Sequence, residues 1–210
     1  MGNLQLAKAD FQRAIEIKPE FSKAHYNLGL CLHKLNEREA AKQSYEKSLD
    51  LDPSYPLTYN NLALLEREQG NLRKAVDWFT KCIELDPQNV AAIFNRATTF
   101  TTLKEWNNAL ADFNIVLSFT PEDEVAVYHR GVCFDSMGKF SEAVQDFTLA
   151  INLCPEQPKL YNCRALSYHS MSKFQIFQIQ IYPQNIKCFS FKKNAKKTRT
   201  ERLNVTTQRP

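Results

Sequence analysis

The chain has 210 residues, of which 43% are hydrophobic and 24% charged, with five glycines and a formal net charge of +4. That balance excludes a fibrous or wholly disordered protein. So few glycines argue against a turn-rich β fold, and no apolar run approaches the ~20 residues of a membrane helix. The charge is unevenly placed. Residues 175–210 hold eight Lys/Arg and one acid, Glu201, whereas the remainder has 19 basic and 22 acidic residues, so a mildly acidic body carries a strongly basic tail.

The opening MGNLQLAKAD has no basic stretch followed by an apolar core, so no secretory leader is expected. Six cysteines (Cys31, Cys82, Cys133, Cys154, Cys163, Cys188) form no C-x-x-C pair and no metal-finger spacing. Most fall on helix faces expected to be buried, where a free thiol acts as a small apolar group. A reducing, cytoplasmic setting is therefore expected, with the nucleus reachable through the basic tail.

Residues 1–21 read as one helix, with Ala7, Phe11 and Ala14 on a common face and Pro19 beyond its end. From there the chain repeats. Pro19, Pro53, Pro87, Pro121 and Pro155 are each 34 residues apart, and a fixed period of that size marks a repeat array. Segments 22–55, 56–89, 90–123 and 124–157 superpose without a gap, and each holds two runs of helical apolar spacing. The first run carries a small residue at one place (Gly29, Ala63, Ala97, Gly131). The second carries Ala41, Ala75, Ala109 and Ala143, each followed four residues later by Tyr45, Phe79, Phe113 or Phe147. That spacing puts Ala and ring on one helix face, and the small partners let the paired helices approach closely. Each closing Pro ends its helix by removing a backbone donor and restricting the residue before it.

The pattern His25-Leu28-Gly29-Leu32…Ala41…Tyr45…Pro53, repeated as Val127-Arg130-Gly131-Phe134…Ala143…Phe147…Ala150…Pro155, resembles the tetratricopeptide repeat family over roughly residues 2–174. The resemblance implies an all-α solenoid, a right-handed superhelix of antiparallel helix pairs. It also implies a non-catalytic scaffold or adaptor that holds another protein. Residues 1–21 then form a half repeat with only a second helix, and 22–157 form four complete repeats. Residues 158–174 form the first helix of an incomplete repeat (Tyr161, Arg164, Ala165, Tyr168). A further helix starts at Phe174 and fails at Pro183, leaving 175–210 as a basic, disordered tail. Half-repeats at both ends suggest a fragment or alternative form of a longer protein.

In such an array the first helices line the inner surface. Asn27, Asn61 and Asn95 recur there at 34-residue steps. An amide can pair with a peptide unit's N–H and C=O together, so the three resemble the asparagine ladder of an O-GlcNAc-transferase-like array. Tyr26, Asn60, Phe94 and Tyr128 complete the expected peptide-binding set, the aromatics as apolar shelves. The family's carboxylate clamp for acidic chaperone tails is not matched, because Tyr26/Leu30, Asn60/Leu64 and Phe94/Thr98 occupy the places of its Lys/Asn pairs. Arg96, Arg130 and Arg164 also recur at 34 residues and read as surface packing of the arginine stem.

No catalytic site is expected. No His stands i, i+4 from another, no phosphate loop or nucleophile motif occurs, and His129 and Asp135, six residues apart, point to different faces. No cofactor or metal is expected, and the partner is a protein presenting an extended segment, rather than a small molecule, a membrane or nucleic acid. Two alternatives stand beside this reading: a substrate-selecting arm of a larger enzyme, and a nuclear or nucleic-acid-targeted factor acting through FKKNAKKTRTER. The tail lacks the aromatic platform that single-stranded nucleic acid needs, so a solvated terminus is preferred.

Overall fold

The computed structural model describes residues 2–181, with side-chain surroundings as far as Lys173; the basic cluster and Pro183 lie outside the described residues. Ten α-helices and no strand occur among them. They are α1 (Gly2–Ile17), α2 (Ser22–Lys34), α3 (Arg38–Leu51), α4 (Pro56–Glu68), α5 (Leu72–Leu85), α6 (Val90–Thr102), α7 (Trp106–Phe119), α8 (Glu124–Ser136), α9 (Phe140–Leu153) and α10 (Pro158–Ile181). Each helix packs on the next, giving an all-α solenoid.

Two kinds of turn alternate. Within each repeat the chain reverses through one residue with positive φ: Asn36 at 63°, Gly70 at 84°, Lys104 at 60° and Gly138 at 73°. Left-handed backbone favours Gly and, less strongly, Asn; Lys104 adopts it without either advantage. Between repeats the cap residues Asp52, Asp86, Thr120 and Cys154 leave helical geometry, with φ between −147° and −131°, because a proline follows each. Asn89 and Asp123 then start α6 and α8 by accepting from the N–H groups of Ala92 and Ala126 at 3.1 and 2.9 Å.

The core follows the repeat. Ala41, Ala75, Ala109 and Ala143 are all wholly buried, as are Tyr45, Phe79 and Phe113, with Phe147 1% exposed. Sealing each ring from water contributes about 1.5–3 kcal/mol. The small residues opposite leave just enough room. A Cβ on Gly29 would lie 2.6 Å from the Tyr45 ring, and one on Gly131 would lie 2.9 Å from Phe147.

The end of the array departs from the expectation of a new helix at Phe174. α10 runs unbroken through Ser172 to Ile181, whereas the residues 34, 68, 102 and 136 positions earlier (Gly138, Lys104, Gly70, Asn36) all turn the chain. Ser172 remains helical and no reversal occurs.

Candidate functional site

First helices touch the first helices of neighbouring repeats (α2 with α4, α4 with α6, α6 with α8) in addition to their sequence neighbours. The stack is therefore narrower along the row of first helices, which makes that row the inner face of a curved array. The expected peptide-binding residues all stand on α2, α4, α6 and α8.

The three asparagines differ in what they already hold. Asn61 donates from Nδ2 to Tyr26 Oη at 3.1 Å and to the Leu57 carbonyl of its own helix at 2.9 Å. Asn95 accepts at Oδ1 from Arg67 Nη1 at 3.4 Å, and the same Arg67 nitrogen reaches Thr98 Oγ1 at 3.1 Å. Asn27 is half-buried and makes no side-chain hydrogen bond among the described residues. Asn61 and Asn95 are thus tied to neighbouring repeats, while the Asn61 amide oxygen and the Asn95 amide N–H groups make no hydrogen bond among the described residues. At the fourth register position stands His129, not Asn.

The aromatic residues fall into two groups. Tyr26 is largely buried, at 9% exposure. Its ring meets Tyr55 edge-on at 5.1 Å and tilts against Tyr45 at 6.2 Å. Burial and the neighbouring Tyr55 hold its hydroxyl above the usual phenol range, opposed by the Asn61 bond. Phe94 and Tyr128 are half-buried and linked through His129: Phe94 lies 5.9 Å from that imidazole and Tyr128 5.1 Å, both edge-on, while Phe113 stacks beneath it. Lys159 Nζ sits 4.4 Å over the Tyr128 ring, within cation–π range. Tyr128, His129 and Lys159, with Glu124, Val125 and Leu160, line a recess of about 180 Å³. Asn60 is half-buried, and its Oδ1 is enclosed without a hydrogen-bond partner.

The recurring arginines do more than lay their stems on the surface. Arg96 holds Asp112 with two bonds of 2.8 Å and reaches Thr80 Oγ1 at 3.1 Å. Arg130 holds Asp146 at 2.8 and 2.7 Å and reaches Asn114 Oδ1 at 2.9 Å. Each arginine ties three consecutive helices. The sequence offered a signal for this: each Asp stands 16 residues after its Arg, whereas Leu28 and Leu62 at the same register are followed by Ser44 and Trp78.

The histidines are dispersed. His25 Nε2 lies 2.9 Å from the Pro19 carbonyl, His33 pairs with Glu68 at 3.0 Å, and His129 is stacked as above. Asp135 accepts from Ser167 Oγ at 2.5 Å, apart from His129. Among the described residues no three His, Cys, Asp or Glu groups could together hold a metal ion. Burial pushes the Cys82 thiol up to about 11 and raises that of Cys133, so both stay protonated and unreactive at neutral pH. Among those residues no helix is long and apolar enough to cross a membrane.

A solenoid of helical hairpins with a continuous inner face defines a class of repeat protein whose members typically serve as protein-interaction scaffolds. The particular family follows from the repeats themselves. Tetratricopeptide repeat models match residues 22–55 and 56–89, and 1–21 and 126–157, together more than half the chain. The chain belongs to the tetratricopeptide repeat family.

No curated protein matches it. Among solved structures it is similar to YrrB, described as a TPR protein with an unusual peptide-binding site (22% identity, 87% of this chain and 97% of that one, TM-score 0.71). It is also similar to a tetratricopeptide repeat protein from Parabacteroides merdae ATCC 43184 (22% identity, 87% and 73%, TM-score 0.72). A third similar structure is the first TPR of Spaghetti (RPAP3) bound to the HSP90 peptide SRMEEVD (24% identity, 56% and 93%, TM-score 0.54). At these identities the likeness is one of fold.

Proposed function

We propose that this array is a non-catalytic adaptor that holds an extended segment of a partner protein along its inner face. The observation that carries the reading is the row Asn27, Asn61, Asn95 on successive first helices, flanked by Phe94 and Tyr128. Neighbouring helices stand ~8–10 Å apart, and an extended peptide rises ~3.3 Å per residue, so one amide per repeat meets about every third peptide unit. Asn61 offers an acceptor, Asn95 offers donors, and Asn27 offers both. Phe94 and Tyr128 give side chains of the peptide apolar surfaces between these polar points. Peptide binding named for YrrB and for the Spaghetti domain is in keeping with this use of the fold. The residues of a carboxylate clamp are missing here, so the ligand is read as an internal extended segment rather than a chaperone's acidic terminus.

The test is selection of displayed peptides on the full chain, followed by titration against the variant with Asn27, Asn61 and Asn95 all changed to Ala. Loss of about 1 kcal/mol per buried amide bond predicts that the triple variant binds at least tenfold more weakly. Selected peptides that bind parent and variant alike, or that displace nothing near Tyr128, would remove the groove reading.

A further inference from the structure

Arg96 and Arg130 divide their donors in one way. Nη1 reaches a neutral side chain on the preceding helix, Thr80 or Asn114, while Nε and Nη2 form a fork around Asp112 or Asp146. A third arginine, Arg67 on α4, is anchored by the same nitrogen. Its Nη1 reaches Thr98 Oγ1 at 3.1 Å and Asn95 Oδ1 at 3.4 Å on α6. Its Nε and Nη2 make no hydrogen bond among the described residues. The fork that binds aspartate elsewhere in the array meets no described carboxylate here.

Place and charge set Arg67 apart. α4 and α6 lie inside the array, with helices packed before and after them. Arg67 spans two first helices, so its guanidinium stands beside the amide of Asn95 on the inner face. The same register holds His33, Thr101 and Asp135, none of them a permanent cation. The adjacent Glu68 forms no ion pair with Arg67, because its carboxylate is turned to His33 at 3.0 Å. Burial holds the half-buried guanidinium below its ordinary value, against the pull of Glu68. A cation desolvated in this way without a paired carboxylate carries a cost that an incoming carboxylate offsets. Asn95 adds to the donor character, since its Oδ1 is turned to Arg67 and its N–H groups make no hydrogen bond among the described residues.

We propose that Arg67 is a specificity-determining residue of the inner groove, and that the extended partner segment carries an aspartate or glutamate whose carboxylate docks on Nε and Nη2. This inference rests on the groove reading and adds to it the chemistry of one ligand side chain. The Asn95 N–H groups take a main-chain carbonyl beside that acid. Arg67 takes the carboxylate with two bonds, as Arg96 takes Asp112, and a bidentate pair fixes register as well as adding attraction. Because Nη1 is already tied to α6, the arginine has less side-chain freedom to lose on binding.

Displayed peptides selected on the full chain test it. Each acid of a selected peptide is changed singly to its amide, and the set is titrated against the parent, Arg67→Gln and the triple asparagine variant. One acidic position is expected to recur. Its amide form binds the parent about tenfold more weakly or worse, whereas Arg67→Gln binds the acid and amide forms alike. Arg67→Glu, with helical circular dichroism unchanged, rejects the acidic peptide and accepts the same peptide with lysine at that position. Peptides without a recurring acid overturn the proposal, as do acid-to-amide changes that weaken parent and Arg67→Gln equally. If the triple asparagine variant still loses binding in that case, the groove reading stands without this one. Tighter binding of phosphoserine than of glutamate at that position assigns the fork to phosphate and overturns the carboxylate assignment.

Discussion

Arg130 binds both oxygens of Asp146, at 2.8 and 2.7 Å, and with its remaining terminal nitrogen reaches Asn114 at 2.9 Å. One side chain on α8 therefore clamps the helices before and after it. The carboxylate is only 8% exposed and the guanidinium 23%, so solvent screens the pair weakly. Arg96 and Asp112 reproduce the clamp one repeat earlier. Arrays of this type are stabilised repeat by repeat through such interfaces.

Removing one partner leaves a desolvated charge. Asp146→Ala is expected to cost about 3 kcal/mol, read as a lower urea midpoint. The pair Arg130→Leu with Asp146→Ser copies Leu28 and Ser44, which occupy the same places in the first full repeat. That double variant is expected to cost less than Asp146→Ala alone, because no charge is left stranded. A double variant as unstable as the sum of the two singles contradicts this account.

A different imbalance lies in the same first repeat. The Tyr45 ring is wholly buried, and its hydroxyl has no hydrogen-bond partner among the described residues. Phe79, Phe113 and Phe147 fill the same place without a hydroxyl. Tyr45→Phe removes an unmet polar group and keeps the packing, so it is expected to stabilise the chain by about 1 kcal/mol. Thermal unfolding checks the sign; a lower midpoint in the variant would mean that the hydroxyl does have a partner.

The fold was legible because packing of Ala on aromatic recurs at one period, and Ala75 with Phe79 lies buried as their spacing demands. The inner-face residues were legible as positions, since register alone assigns Asn61 and Asn95 to first helices. Their bonds were not, because Tyr26 and Arg67 reach them across 35 and 28 residues of chain, and no local pattern records which rotamer faces a neighbour. The Arg–Asp clamps stood in the sequence as a 16-residue offset, a spacing that acquires meaning only once both helices are docked. The run of α10 to Ile181 was hidden because Lys104 turns the chain at this register without a turn-favouring side chain, so residue type at Ser172 does not tell a reversal from a continuing helix.

Glu66 is 1% exposed and is held by Lys42 Nζ at 2.7 Å and Asn71 Nδ2 at 2.8 Å. Burial pushes its carboxyl up, but the bonds from Lys42 and Asn71 outweigh burial and hold it below the usual carboxylate range. The ionised form is thus favoured by folding. Its contribution is complete above the unfolded pKa of about 4.5 and is lost as pH falls through the lower folded value. Glu66→Gln is expected to unfold more easily than the parent at neutral pH, with the gap narrowing in acid. Urea titrations at a series of pH values measure it; a gap independent of pH would assign the loss to packing.

His129 titrates in a separate window and with the same sign. Burial, followed by the charge of Lys159, holds its imidazole below the ordinary value, against a smaller pull from Asp123. The unfolded chain takes up this proton near pH ~6.5 while the folded chain resists it, so the unfolded state holds more protons there. The stability that His129 contributes is full above that pH and is lost as pH falls through the lower folded pKa. His129→Asn places at the fourth register position the residue found at 27, 61 and 95, and it removes the titrating group. Between about pH 7.5 and pH 5.5 the parent's urea midpoint is expected to fall further than the variant's. Because His129 joins Phe94 to Tyr128, protonation also places a cation in the aromatic floor of the groove. A positively charged segment held there is expected to weaken in the parent, and not in the variant, only as pH falls through the lower folded pKa, below the window in which the stability is lost.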